Sequence, residues 1–93
     1  MGWTIRLEDE EGEIVSQLGS EFEEQDFDGK EYKLLHYLDP YGDTKFNHRQ
    51  IPNLISDFEH LQMIDTNPQI NEIIDLAIKC ANGVHLYLVF YGD

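Results

Sequence analysis

Little in this chain can cross-link it or hold a soft metal. Cys80 is the sole cysteine among 93 residues. One thiol cannot close an intramolecular disulfide, and it cannot assemble a cysteine-based zinc site within one chain. A reducing compartment fits best, so a cytoplasmic location is expected. Positive charge is equally scarce: six Lys and Arg stand against nineteen Asp and Glu, a formal net charge of −13. A field of that sign repels nucleic acid and anionic membrane and speeds encounter with a basic partner. No apolar run approaches the ~20 residues of a membrane span. The opening Met1-Gly2-Trp3-Thr4-Ile5-Arg6-Leu7-Glu8 lacks the basic stretch and apolar run of a secretory signal. There is no internal repeat and no low-complexity linker, so a single domain spanning 1–93 is expected. With 41% hydrophobic residues, the chain has enough apolar material for a modest core.

The charge is unevenly spread. The first 28 residues hold ten acids and one base, Arg6. Like charges crowded together repel one another, so their clustering calls for a use beyond solubility. This places the candidate partner-binding surface at Glu8, Asp9, Glu10, Glu11, Glu23, Glu24, Asp26 and Asp28, with Asp39, Tyr41 and Asp43 at its margin. Tyr41, Tyr87 and Tyr91 are candidate anchors, because an exposed tyrosine offers large contact area at low entropic cost.

The stretch Tyr37 to Asn47 divides the chain. Before it, apolar residues alternate or come in short runs. After it, they fall at helical spacing. Trp3, Ile5 and Leu7 alternate with Thr4, Arg6 and Glu8, a half-buried strand. Asp9-Glu10-Glu11-Gly12 reads as a turn with Gly12 at positive φ, and Glu13–Gln17 returns as the second strand of a hairpin. Ser20 and Glu23 have the spacing of a capping box, which predicts a short helical turn. Glu31–Leu38 carries apolar residues on both faces and predicts an interior strand. Asp39-Pro40-Tyr41-Gly42-Asp43 predicts a turn in which Gly42 takes positive φ and Asp39 or Asp43 accepts backbone N–H bonds.

Ile51, Leu54, Ile55, Phe58 and Leu61 then predict an amphipathic helix, entered through Asn47 and Gln50 as reciprocal caps. Asn67 and Pro68 start a second helix, with Ile70, Ile73, Ile74, Ala77 and Ile78 as its apolar face. Asn82-Gly83 predicts a left-handed stop. Val84–Tyr91 is the most apolar stretch and belongs at the centre of a sheet. The expected fold is α+β: a mainly antiparallel sheet of three to four strands with two consecutive helices packed on one face.

Residues that carry chemistry are sparse. His36, His48, His60 and His85 show no i, i+4 pair and no accompanying glutamate of a helical metal motif. The calcium-loop pattern of acids is missing around Asp39 and Asp43, which fit turn closure better. Cys80 falls late in a helix beside alanines, away from the helix N-terminus or basic neighbour that activates a thiol. The serines lack an elbow motif, and no glycine loop cradles phosphate. No catalytic residue, metal or cofactor is expected, and the chain reads as a non-enzyme.

The run Leu38-Asp39-Pro40-Tyr41-Gly42-Asp43-Thr44-Lys45-Phe46-Asn47, with Gln50 and the Leu54-Ile55 helix after it, resembles a turn signature of small bacterial proteins. The small size, acidity and lack of a catalytic set resemble the immunity proteins of bacterial toxin systems, including contact-dependent growth inhibition. That resemblance implies neutralisation of a cognate toxin, often a nuclease with a basic cleft, by occlusion of its active site. The alternative is a non-catalytic regulatory adaptor that binds another basic protein.

Overall fold

The computed structural model describes residues 2–23, 32–39 and 41–92. Its elements are strands β1 (Gly2–Asp9), β2 (Ile14–Gln17), β3 (Phe22–Glu23), β4 (Asp43–Asn47) and β5 (Leu86–Gly92), with helices α1 (Ile51–Gln62) and α2 (Gln69–Asn82) between β4 and β5. The strands form one antiparallel sheet in the order β2-β1-β5-β4, and β3 pairs with the start of β1. The fold is therefore α+β with five strands, and both helices pack against the sheet. β5 is central, as its apolar composition requires.

Alternation decides which face is buried. Trp3, Ile5 and Leu7 of β1 stand opposite Gly92, Phe90 and Leu88 of β5, and Leu88 is opposite Phe46 of β4. These residues meet Ile51, Leu54, Phe58 and Leu61 of α1 and Ile70, Ile73, Leu76, Ala77 and Cys80 of α2 in one core. Phe58 stacks on Phe90 with centroids 6.1 Å apart and takes the Phe22 ring edge-on at 6.3 Å.

The expected bonds form just ahead of both helices, but the N-cap positions fall to Gln50 and Pro68, and neither is capped by a side chain. The Asn47 N–H donates to Gln50 Oε1 at 3.0 Å, and the Gln50 N–H donates to Asn47 Oδ1 at 3.2 Å. Asn67 Oδ1 accepts from the Gln69 N–H at 3.0 Å after Pro68. The β1–β2 turn also matches, with Gly12 at φ 83°.

Six local expectations are corrected. The predicted strand over 31–38 is a 3₁₀ turn at Leu35–Tyr37. Its buried residues, Tyr32, Leu35 and Leu38, recur every third position, the 3₁₀ period. No strand among the described residues pairs with it. Instead the carboxylate of Asp57, buried on α1, accepts the N–H groups of Lys33, Leu34 and Leu35 at 2.9, 2.7 and 3.2 Å. The capping box of Ser20 and Glu23 is not used. Ser20 Oγ accepts from Gln69 Nε2 at 2.7 Å, and Glu23 is in β3 opposite Gly2. The rest of that predicted turn, from residue 24 on, lies outside the described residues.

Residues 43–47, read as part of the turn, are the edge strand β4, with Phe46 inward and Asp43, Lys45 and Asn47 outward. Gly42 does not take positive φ. A Cβ there would lie 2.8 Å from Asp39 Oδ2, so a side chain at this position must displace the Asp39 carboxylate, and backbone handedness plays no part. Gly83 is extended at φ −100°, and the left-handed residue is His85 at φ 63°. On α2, Ile78 is 44% exposed, while Leu76 and Cys80 take the buried positions. The apolar face is turned toward Leu76 because β1 and β5 lie on that side.

Candidate partner-binding surface

The predicted acidic surface divides into two, at opposite ends of the sheet. One end is the β1–β2 turn. Asp9 Oδ1 accepts the N–H groups of Glu11 and Glu13, each at 2.9 Å, so its carboxylate is committed to closing the turn. Glu10, Glu11 and Glu13 are left exposed. Glu10 Oε2 meets His85 Nδ1 at 3.4 Å across the exposed start of β5.

The other end holds Asp39, Tyr41 and Asp43 together at the β4–β5 side, with Glu23 apart from them across β1 and β5. Glu23 is opposite Gly2, and Asp43 is opposite Tyr91, which is itself opposite Thr4. The two ends are therefore separated by most of the length of β1, roughly 20 Å at 3.3 Å per residue. That exceeds the Debye length of about 8 Å at physiological ionic strength, so the ends act as separate patches in contact. Glu24, Asp26 and Asp28 lie outside the described residues.

Glu8 belongs to neither patch. It lies on the sheet face away from the helices, is only 4% exposed, and accepts a hydrogen bond from the Tyr91 hydroxyl. The hydrogen bond to Glu8 is the main reason the Tyr91 phenol is raised above its ordinary value, with burial and the negative charge of Glu8 adding to it. Arg6 lies over the Tyr91 ring at 5.2 Å, and Lys45 over Tyr87 at 5.1 Å. Between them Val89 is 2% exposed yet stands outside the core cluster. The aliphatic stems of its cross-strand neighbours Arg6 and Lys45 lie beside it, the usual arrangement for long cationic side chains over apolar surface. Tyr87 and Tyr91 are thus held down on this face and do not project as anchors.

Tyr41 does project. It is 70% exposed, between the exposed carboxylates of Asp39 and Asp43. Asp39 is fixed on three sides. Its carbonyl accepts from Trp3 Nε1 at 3.0 Å and from the Gly42 N–H at 3.2 Å, and its Oδ1 accepts from the Tyr41 N–H at 2.9 Å. Gly42 O in turn accepts from the Gly92 N–H at 2.8 Å. Trp3 is 1% exposed, so the turn is bolted to the core. The flanking Phe46 is buried and contributes to that core, not to the surface. A second exposed ring, Tyr37 at 64%, lies tilted against His36 with centroids 4.0 Å apart.

Asp57 is a residue that the sequence reading misses although a signal is present. It falls one residue before Phe58 and three after Leu54, on the apolar stripe of α1. A carboxylate on a buried stripe needs donors, and here they are backbone N–H groups of a distant segment. Among the described residues, no group of three His, Cys, Asp or Glu side chains is placed to hold a metal. Cys80 is buried, which raises its thiol above the ordinary value against a smaller lowering by a backbone hydrogen bond. Among the described residues, no helix is long and apolar enough to cross a membrane. No family model, no curated protein and no solved structure matches this chain.

Proposed function

We propose that this protein is a non-catalytic inhibitor of the immunity type, which binds a basic toxin domain in the cytoplasm and occludes its active-site cleft. The observation that carries the reading is Tyr41: a largely exposed ring on a rigid turn, flanked by two carboxylates. Interfaces draw most of their affinity from a few such anchors, and rigidity lowers the cost of ordering them on binding. The acids around it match a cationic cleft in sign. The net charge of −13 draws that cleft in from a distance. The resemblance to small acidic immunity proteins supplies the class of partner.

The test is co-purification with the product of the neighbouring gene, followed by stopped-flow association across a salt series. Association slows steeply as salt rises, and Tyr41→Ala raises the dissociation rate by roughly 30-fold, the scale of a ~2 kcal/mol anchor. An association rate flat with salt, together with unchanged dissociation of the Tyr41→Ala variant, rules the reading out.

A further inference from the structure

A second feature lies at the opposite edge of the sheet from β4. β2 is the end strand of the path β2-β1-β5-β4, and no strand among the described residues pairs with its outer side. Its ladder with β1 is regular from Ser16 to Leu18, where the Leu18 N–H donates to Ile5 O at 3.0 Å. Alternate residues of an antiparallel strand point their main-chain groups to opposite sides, so the N–H and C=O of Gln17 face outward. Ile14 and Val15 on the same strand are 52% and 54% exposed. The edge has neither lysine nor proline, the usual means of blocking strand addition.

Beside this edge runs an open cleft of about 200 Å³, lined by Gln17 and Leu18 and by Glu72, Asp75, Leu76 and Lys79 of α2. These α2 residues recur at i, i+3, i+4 and i+7 and form one stripe facing the end of β2. The stripe is mixed: Leu76 forms an apolar floor, Glu72 and Asp75 are acidic walls, and Lys79 closes one end. Gln69, one turn before the stripe, donates to Ser20 and holds the chain beyond β2 against α2.

We infer that the β2 edge and the α2 stripe together take up an extended, basic peptide segment of a partner protein as an added strand. Main-chain bonds to Gln17 supply the pairing, apolar side chains of the added strand lie beside Ile14 on the face away from the helices, and the alternate, basic ones reach Glu72 and Asp75 on the helix side. Charge decides among occupants. A second copy of this chain would bring another −13, with Glu10, Glu11 and Glu13 beside the shared edge. A basic segment relieves that repulsion. The inference rests on the proposed reading only for the sign of the partner's charge.

The test uses a capped hexapeptide, Lys-Val-Lys-Val-Lys-Val, titrated into the whole protein and followed by amide chemical shifts and hydrogen exchange. The expected result is shifts across Val15, Ser16 and Gln17, with slowed exchange at the outward-facing Gln17 amide. N-methylation of alternate peptide residues, which deletes the pairing donors, weakens binding at least tenfold. The Glu72→Gln, Asp75→Asn double variant, altered only at exposed positions, weakens it at least threefold, and the Glu-Val-Glu-Val-Glu-Val peptide does not bind. Absence of any change at residues 15–17 overturns the inference. So does an N-methylated peptide that binds as well as its parent, which would reduce the effect to charge alone. Sedimentation of the free protein as a dimer with protected β2 amides assigns the edge to a second copy and also overturns it. The titration contains no toxin, so its failure leaves the Tyr41 experiment standing, and the converse holds.

Discussion

The turn Asp9–Gly12 and the turn Asp39–Gly42 are built on the same pattern, an aspartate followed three residues later by glycine. Their local bonds also match. In each, the glycine N–H donates to the aspartate carbonyl, at 3.0 and 3.2 Å. In each, the aspartate carboxylate accepts the N–H two residues on, at 2.9 Å. Yet Gly12 sits at φ 83° with open space for 4 Å around the position a Cβ would take, whereas Gly42 has an ordinary φ and the exposed Asp39 carboxylate lies where a Cβ would press. The first turn is an exposed reverse turn whose glycine answers to backbone handedness. The second is held by Trp3 and Gly92, and its glycine answers to crowding. The same short motif can therefore present an exposed acidic loop or a buttressed anchor, according to what packs beneath it.

Removing what lies beneath the second turn breaks the comparison most severely. Trp3→Ala is expected to cost about 3–5 kcal/mol, a large share of the stability of a domain this size. The milder Trp3→Phe keeps an aromatic ring but deletes the N–H to Asp39. In that variant, amide exchange should rise at Tyr41 and Gly42 and stay unchanged at Glu11 and Gly12. Equal loss of protection in both turns would show that Trp3 acts on the whole fold and not on the turn. Next in size is Asp57→Ala, which strands three N–H groups of the segment leading into the second turn. A loss of about 3 kcal/mol in urea denaturation is expected, and a change below ~1 kcal/mol would mean that water replaces the carboxylate without penalty.

The two glycines sharpen the comparison. Gly42→Ala and Gly12→Ala should each destabilise by about 1 kcal/mol, for unlike reasons. Removing the crowding carboxylate as well, in Asp39→Ala with Gly42→Ala, should make the pair less costly than the sum of its singles. The matching pair at Asp9 and Gly12 should be additive, since nothing crowds Gly12. Additivity at both turns would refute the steric account of Gly42.

The smallest effect is on pH dependence. The Tyr91 phenol is raised by its bond to Glu8, and the Asp43 carboxylate beside the second turn adds to the shift. The folded protein therefore holds this proton more tightly than the unfolded chain does. That stabilisation is complete below the ordinary value near 10 and is lost as pH rises through the higher folded value. Stability should fall above about pH 10, with a shallower fall in Tyr91→Phe, measured by urea midpoints from about pH 8 to 11. An identical slope in that variant would place the alkaline loss elsewhere.

Strong local signals make several regions legible in the sequence alone. β1 shows alternation, α1 and α2 show the helical period with asparagine-led turns just before their starts, and β5 is an uninterrupted apolar run. Each carries its preference within a few residues, so neighbours have only to agree with it. The stretch from Ser20 to Asn47 has no such preference. Its apolar residues suit a strand or a 3₁₀ turn equally, and the choice falls to groups far off in the chain. Asp57 on α1 gathers the N–H groups of 33–35, and Gln69 on α2 takes Ser20 from its capping box. The open edge of β5 draws Asp43–Asn47 into a strand although three of its five residues are polar and outward.

The candidate site divides in the same way. Composition and order alone determined that the chain is acidic and that Tyr41 stands between two aspartates. Only the tertiary structure decided that the acids form two patches and that Glu8 is buried beneath Tyr91. Charge is a property of the list of residues, whereas a surface depends on which strand ends the fold brings together.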